Sequence, residues 1–346
     1  MRTISLDVHA DYCQMAVLNK DAEVVLEMQV PTTREDIRRV IGGIPGPKHV
    51  VFEEGSLSGL IYDAVKDLVD EITSTDPTRN ALISRSENKN DENDAVSLGL
   101  LTLNKSIRKI FVPEEPHRTL RSLLSYDNSL QASVVRVNNA MKALCRRWGI
   151  KCRGRGIRRR ERRRELAREL PNATLRWQLE GLGRQMDLLR LERTRVCRHR
   201  ARITRSMSAV AQLKTIPGVG PIVAPTIVAW VVDPHRFRSR SALAAYAGIG
   251  IGGRVSDWKP TRRPRAMKRG NRQLKRVLFI GAEAAIKGAN ALAKRYQARI
   301  AAGWDHRKAR RDIARHILFI ACAIMNHGGE YDDGRVIVPD GVTSNR

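Results

Sequence analysis

The chain has 346 residues, with 63 Lys and Arg against 36 Asp and Glu and a formal net charge of +27. That length admits two domains with sizeable cores, and that excess of positive charge points to a polyanionic partner, either nucleic acid or an anionic membrane surface. The longest apolar run, residues 222–232, contains Pro225 and is too short to span a bilayer, which disfavours the membrane. Charge is also unevenly spread: residues 1–110 hold 13 Lys/Arg and 18 Asp/Glu, a net of −5, and the remainder carries +32. An acidic first domain ahead of a basic remainder reads as a metal-dependent catalytic unit beside a unit that grips nucleic acid. Five scattered cysteines without ligand spacing read as reduced thiols, and Asp7 interrupts the first apolar run, so no signal peptide is expected. The expected location is the cytoplasm, with the nucleoid.

Residues 3–8, 12–18 and 23–30 are three short β-type runs separated by tight turns. A helical pattern follows at 34–41, then a Gly/Pro loop at 42–47. Residues 49–52 read as a buried strand ending in Glu53 and Glu54, 58–69 as a helix, 71–75 as a strand, and 77–83 as a turn or helix. The stretch 89–95 (KNDENDA) then opens a helix, with Asn88 or Asn90 as its cap. Asp91 and Asp94 are three apart and share one helical face. Like charges so placed repel unless a cation sits between them, and a hard cation such as Mg²⁺ (or Mn²⁺) suits carboxylate oxygens. The same pattern also fits a solvated acidic helix start that complements the helix dipole. The order βββαβαβ followed by an acidic helix is that of an α/β ribonuclease-H-like domain. In it Asp7 on the first strand, Glu53 or Glu54 at the end of the fourth, and Asp91 and Asp94 on the helix come from three separated segments.

Two long helices follow. Leu130, Val134, Val137, Met141, Leu144 and Trp148 step by fours and threes, and Leu175, Leu179, Leu182, Met186, Leu189, Val196, Ile203, Met207 and Val210 keep the same rhythm. Arg193 and Arg200 fall on the seam. The pattern is that of a coiled coil, broken at 149–156, so an antiparallel hairpin is expected, open to a homotypic partner. Between the helices lies RGRGIRRRERRR, residues 153–164. Arginine binds phosphate bidentately and stacks on bases, so Arg153, Arg155, Arg158, Arg159 and Arg160 are candidate nucleic-acid contacts.

Residues 213–224 (LKTIPGVGPIVA) match a helix-hairpin-helix, with Gly218 and Gly220 allowing the turn and the second helix start offering N–H groups to a phosphate. A plain interhelical turn has the same composition. A short helix and a glycine-rich loop lead through residue 253 to Ser256, among Arg254, Lys259, Arg262, Arg263, Lys268 and Arg269. Such a cluster suits a phosphate and stabilises charge on a transferring phosphoryl group. Helices at 274–286, 291–302 and 308–325 complete a mainly α domain, and a polar tail follows. The expected division is 1–112, a ribonuclease-H-like catalytic domain; 113–211, a coiled-coil and Arg-rich linker; 212–328, a C-terminal domain; and 329–346, a mobile tail.

Seven stretches in this order carry a family resemblance: ISLDVH (4–9), FEEG (52–55), DPTRN (76–80), KNDENDA (89–95), IPGVG (216–220), YAGIG (246–250) and KRGNRQLK (268–275). The chain resembles the DEDD-type insertion-sequence transposases, the Piv-invertase-like family of bridge-RNA-guided recombinases. The resemblance implies a RuvC-like domain, a coiled-coil linker and a C-terminal transposase domain. It implies a metal set of Asp7, Glu54, Asp91 and Asp94, since Ser56 follows Glu54 by two positions as a hydroxyl does in the family. It also implies that Ser256 is the nucleophile, with Ser239 and Ser241 as alternatives. The chain departs from the family at Ile251, where many members have Pro, and at Asp257, where Gly follows the serine. Implied partners are duplex DNA at element ends and target, a guide non-coding RNA, and further copies of the chain in a dimer or tetramer. A RuvC-like Holliday-junction nuclease using water, and a non-catalytic nucleic-acid-binding protein, are the rival readings.

Overall fold

A computed structural model of the chain describes residues 1–76, 91–154, 156–252, 255–256, 259–260, 265–267 and 269–339, with backbone alone at 91–92, 252, 255–256, 259–260 and 265–266. These residues form two compact units, Met1–Pro113 and Glu114–Arg346.

The first unit is built on one sheet. Strands β1 (Arg2–Val8), β2 (Tyr12–Leu18) and β3 (Val24–Pro31) form an antiparallel meander. β4 (Lys48–Glu53) lies parallel to β1, β5 (Glu71–Thr75) parallel to β4, and the short β6 (Lys109–Ile110) closes the edge. The strand order is 3-2-1-4-5-6, which leaves β1 central. Helix α1 (Arg34–Gly43) starts where Thr33 accepts a hydrogen bond from the Asp36 N–H, and α2 (Ser58–Val65) follows β4. Both cover one face, on which Ile4, Leu6, Met15, Val50 and Phe52 join Ile37, Ile41, Ile61 and Val65 in the main core.

The opposite face is covered by α3 (Asp91–Leu103). There Ala95 packs on Ala16 and Leu18. Close approach requires Gly99, since a Cβ at that position would stand 2.4 Å from Leu18 Cδ1 and 3.0 Å from Ser5 Oγ. Alternation along each strand therefore sorts the side chains: even positions of β1 enter the main core and odd ones face α3. The expected strands and the helices at 34–41 and 58–69 match this unit closely, although α2 ends at Val65. The expected turn or helix at 77–83 and the caps Asn88 and Asn90 lie outside the described residues.

The second unit is helical and holds both the stretch expected as a linker and the helices expected as a separate domain. Helices α4 (His117–Arg147) and α6 (Ala173–Ile203) are its long pair. Asp127 of α4 meets Arg193 and Arg200 of α6, while Arg147 and Trp177 line one cleft, so the two run antiparallel. Val134, Val137, Met141, Leu179 and Met186 are buried between them. Arg200, only 3 % exposed, is accommodated in the seam because Asp127 of the facing helix accepts its hydrogen bond at 3.0 Å. Trp148, which spacing puts on the seam, is instead half exposed, because α4 ends at Arg147. Met207 and Val210 leave the α6 seam as well: a turn at Thr204–Ser206 ends that helix before α7 (Ser208–Leu213).

The remaining helices are α5 (Arg160–Glu169), α8 (Val223–Val231), α9 (Arg240–Tyr246), α10 (Arg272–Ile286), α11 (Ala291–Ala301) and α12 (His306–His327). α7, α8, α10 and α12 enclose the largest core, with Leu213, Ile227, Leu278 and Ile317 fully buried. Residues 331–337, within the stretch expected as a tail, make hydrogen bonds to the rest of this unit. The Tyr331 N–H donates to Thr215 Oγ1, Asp333 Oδ1 accepts from the Ala291 N–H at the start of α11, and Arg295 bonds the Ile337 carbonyl. An open helix start and a buried guanidinium both need acceptors, and the tail supplies them. No helix among the described residues is long and apolar enough to cross a membrane.

Candidate active site

β1 ends at Val8, so Asp7 stands at the carboxyl end of the central strand, on the α3 face with Thr3 and Ser5. Its Oδ2 lies 3.0 Å from His9 Nε2, and the His9 ring packs on Tyr12 with centroids 5.1 Å apart. The negative charge of Asp7 reaches Cys13: burial pushes that thiol up, a hydrogen bond with Thr32 pulls it down, and Asp7 pushes it up again.

The register between β1 and β4 pairs Leu6 with Phe52, so the next residues along, Asp7 and Glu53, follow side by side. Both alternate to the face opposite Leu6 and Phe52. Glu54 is the residue after the strand. It is exposed, and its N–H donates to Thr75 O at 2.9 Å. The next N–H, of Gly55, donates to Ser58 Oγ at the start of α2. Alternation gives Glu53 the face of Asp7 and gives Glu54 the other.

Asp94 lies in the first turn of α3, beside Ala95 on the Ala16–Leu18 surface. Asp91 is the first residue of α3, and its side chain lies outside the described residues. Asp7, Glu53 and the start of α3 thus share one face of the sheet. Among the described residues, no three His, Cys, Asp or Glu side chains stand close enough to hold a metal ion by themselves. Carboxylate oxygens such as those of Asp7 and Glu53 are donors of the kind a hard divalent cation takes.

The sequence reading passed over Gln14. It lies directly opposite Asp7 in the β1–β2 register and is 3 % exposed. A lone polar residue inside the apolar strand YCQMAVL, at an α3-facing position, is the signal that points to it.

In the second unit, Ser256 lies in β8 (Val255–Ser256), paired antiparallel with β9 (Lys259–Pro260) so that Ser256 is opposite Lys259. β7 (Ile251–Gly252) and β10 (Arg265–Ala266) form a second antiparallel pair. The base of this loop is closed by backbone contact. Gly248 and Gly270 both have positive φ, and a Cβ on Gly270 would stand 2.4 Å from the Gly248 Cα. The Met267 N–H donates to Gly250 O and the Asn271 N–H to Tyr246 O. The side chains of Ser256 and Lys259, and residues Arg254, Arg262, Arg263 and Lys268, lie outside the described residues, while Arg269 is exposed. Of the alternative serines, Ser239 caps α9, its Oγ accepting from the Ala242 N–H at 3.1 Å, and Ser241 is exposed.

The arginine run is partly internal. Arg163 is 7 % exposed, and Asp187 of α6 accepts from it at 2.5 Å. Arg158 donates to Asn138 of α4. Arg153, Arg159 and Arg160 remain exposed, with Arg160 3.6 Å from Asp187, and Arg155 lies outside the described residues. Arg153, Lys151 and Arg162 line a cleft together with Cys152.

Between α7 and α8, Gly218 has φ +80°, and a Cβ there would stand 2.1 Å from the carbonyl oxygen of Gly281 in α10. Gly218 thus seats the turn on α10. The Cβ position of Gly220 meets nothing within 4 Å.

A meander joined to two parallel strands in the order 3-2-1-4-5, with an aspartate at the end of the central strand, is the arrangement of a ribonuclease-H-like catalytic domain; the mixed sheet with a mainly helical remainder is consistent with a DEDD transposase. Residues 4–148 match the IS110 DEDD transposase family, described as Transposase, and residues 210–297 match the Transposase IS116/IS110/IS902 family. The chain is also similar to the insertion element IS110 uncharacterized 43.6 kDa protein of Streptomyces coelicolor, 31 % identical over 120 residues. That stretch is 35 % of this chain and 29 % of the Streptomyces protein, so the alignment spans less than a third of that relative.

Proposed function

We propose that the chain is an insertion-element transposase of the IS110 type, cleaving and exchanging DNA strands. The observation that carries the reading is the placement of Asp7, Glu53 and the Asp94-bearing start of α3 on one face of the sheet, inside the stretch that matches the DEDD family. Asp7, Glu53, Asp91 and Asp94 would hold Mg²⁺ or Mn²⁺, which when bound supplies Lewis acidity at the scissile phosphate. In this reading Glu53 takes the place that motif spacing gives to Glu54.

Ser256 is the nucleophile. Its Oγ attacks the phosphorus, a phosphoserine bond forms, and the bond to the 3′ oxygen breaks to leave a 3′-hydroxyl. Lys259, whose backbone pairs opposite Ser256, and the other cations of this stretch would stabilise the developing charge. The exposed arginines Arg153, Arg159 and Arg160 hold phosphates of a guide non-coding RNA, and the Gly220 turn meets the DNA backbone. The long helices form a coiled-coil linker, the 213–224 turn acts as a helix-hairpin-helix, and the working assembly is a dimer or tetramer.

The test is a suicide DNA substrate incubated with the full chain, its guide RNA and Mg²⁺. A covalent adduct on the peptide containing Ser256, lost in Ser256→Ala and in Asp7→Ala, is the expected result. Metal-dependent cleavage without any adduct indicates a water-activating nuclease instead, and binding without cleavage a non-catalytic nucleic-acid-binding protein.

A further inference from the structure

The α3 face of the sheet carries a buried polar atom that the carboxylate set leaves out. Gln14 is 3 % exposed, and its Oε1 has no hydrogen-bond partner among the described residues. A buried acceptor without a donor is destabilising, so such an atom calls for an explanation. Its place in the sheet narrows the choice. Gln14 is directly opposite Asp7, and opposed residues of an antiparallel pair point to the same face. Its neighbours Cys13, Met15 and Val17 enter the main core on the other side, whereas Ala16 and Leu18 pack under Ala95.

Helix α3 fixes the height. Gly99 sits over Ser5 and Leu18, and Ala95 one turn earlier over Ala16 and Leu18. One further turn brings the start of the helix to the level of Asp7 and Gln14. The polar neighbour below cannot serve Gln14, because Ser5 Oγ donates to the Ala16 carbonyl at 3.3 Å. An amide oxygen is a hard, neutral donor. It adds a ligand to a cation without adding to the repulsion among four carboxylates.

We propose that Gln14 Oε1 is a further oxygen ligand of the divalent cation held at Asp7. This rests on the reading that Asp7 and its neighbours bind a metal. The experiment titrates the full chain with Mn²⁺ alone, following the free-ion electron paramagnetic resonance signal, with thermal unfolding of the metal-free protein measured in parallel. Gln14→Leu replaces the amide by an apolar group of similar volume. It raises the Mn²⁺ Kd about tenfold and leaves the metal-free melting temperature equal or higher, since a buried acceptor with no partner among the described residues has been removed. Gln14→Glu retains Mn²⁺ binding at least as tight as the native chain. Two results overturn the inference: wild-type Mn²⁺ affinity in Gln14→Leu, or a lowered metal-free melting temperature, which would show that the amide serves the fold. Asp7→Asn separates the two levels. If it loses Mn²⁺ while Gln14→Leu does not, the metal reading stands and the role of Gln14 falls. If it binds as the native chain does, the metal reading falls and takes the inference with it.

Discussion

At the scale of single residues, the sharpest choice is between two adjacent acids. Glu53 and Glu54 are indistinguishable by type, and only the pairing of Leu6 with Phe52 assigns Glu53 to the face of Asp7. Glu53→Gln should lower DNA cleavage by roughly a hundredfold or more, while Glu54→Gln should cleave at near the native rate, as measured by single-turnover assay. Motif spacing favours Glu54 instead, but a hydroxyl two positions on says nothing about strand pairing. Gln14 was hidden for a related reason: an unsatisfied oxygen is defined by what surrounds it. A second residue-scale consequence concerns acid. Burial would raise Asp312, but the Arg295 hydrogen bond and the charges of His316, Arg295 and Arg299 hold it below the ordinary carboxylate range. Burial, chiefly, holds His316 below the usual histidine value. In both cases the unfolded chain takes up the proton first, so stability rises with pH. The His316 contribution is complete above about pH 6.5 and declines below it; the Asp312 contribution is complete above about pH 3.9 and declines as the pH falls through its lower folded value. Chemical denaturation at stepped pH should show two stages of loss, with His316→Gln reducing the upper, to which His49 and His117 also contribute, and Asp312→Asn reducing the lower.

At the scale of elements, the heptad rhythm located α4 and α6 well because apolar spacing is a local property. The seam arginines were legible as exceptions but not as a device. Arg193 and Arg200 both converge on Asp127, which is 5 % exposed. Asp127→Ala leaves the nearly inaccessible Arg200 charge without its partner and should cost about 3–5 kcal/mol in urea unfolding. The arginine run between the helices was legible in composition only. Counting charges cannot reveal that Arg163 is spent internally on Asp187, whereas Arg159 is left to solvent. The first unit was read more completely, since its strands alternate in the period that burial demands and its turns are marked by short polar pairs. What that reading lacked was the pairing partner of each strand.

At the scale of the whole molecule, the contrast of −5 in the first 110 residues with +32 in the rest sets how the chain meets a polyanion. If six to ten phosphates are neutralised on binding, affinity for duplex DNA or RNA should fall by about a thousandfold or more between 50 and 200 mM salt. A filter-binding series with the full chain checks this, and a flat salt response would exclude the charged remainder as the main grip. The fit of α3 against the sheet has a consequence of another kind. If the proposed carboxylate set holds a cation, the sheet supplies Asp7 and Glu53 while Asp94 arrives on a helix seated through Ala95 and Gly99, so that donor set requires the helix to be docked. Cation affinity and helix docking are then thermodynamically linked: each ion bound draws α3 down, and every departure of α3 weakens the hold on the ion by the same factor. A change at Gly99, far from any phosphate, should therefore act as a tuning mutation on metal binding.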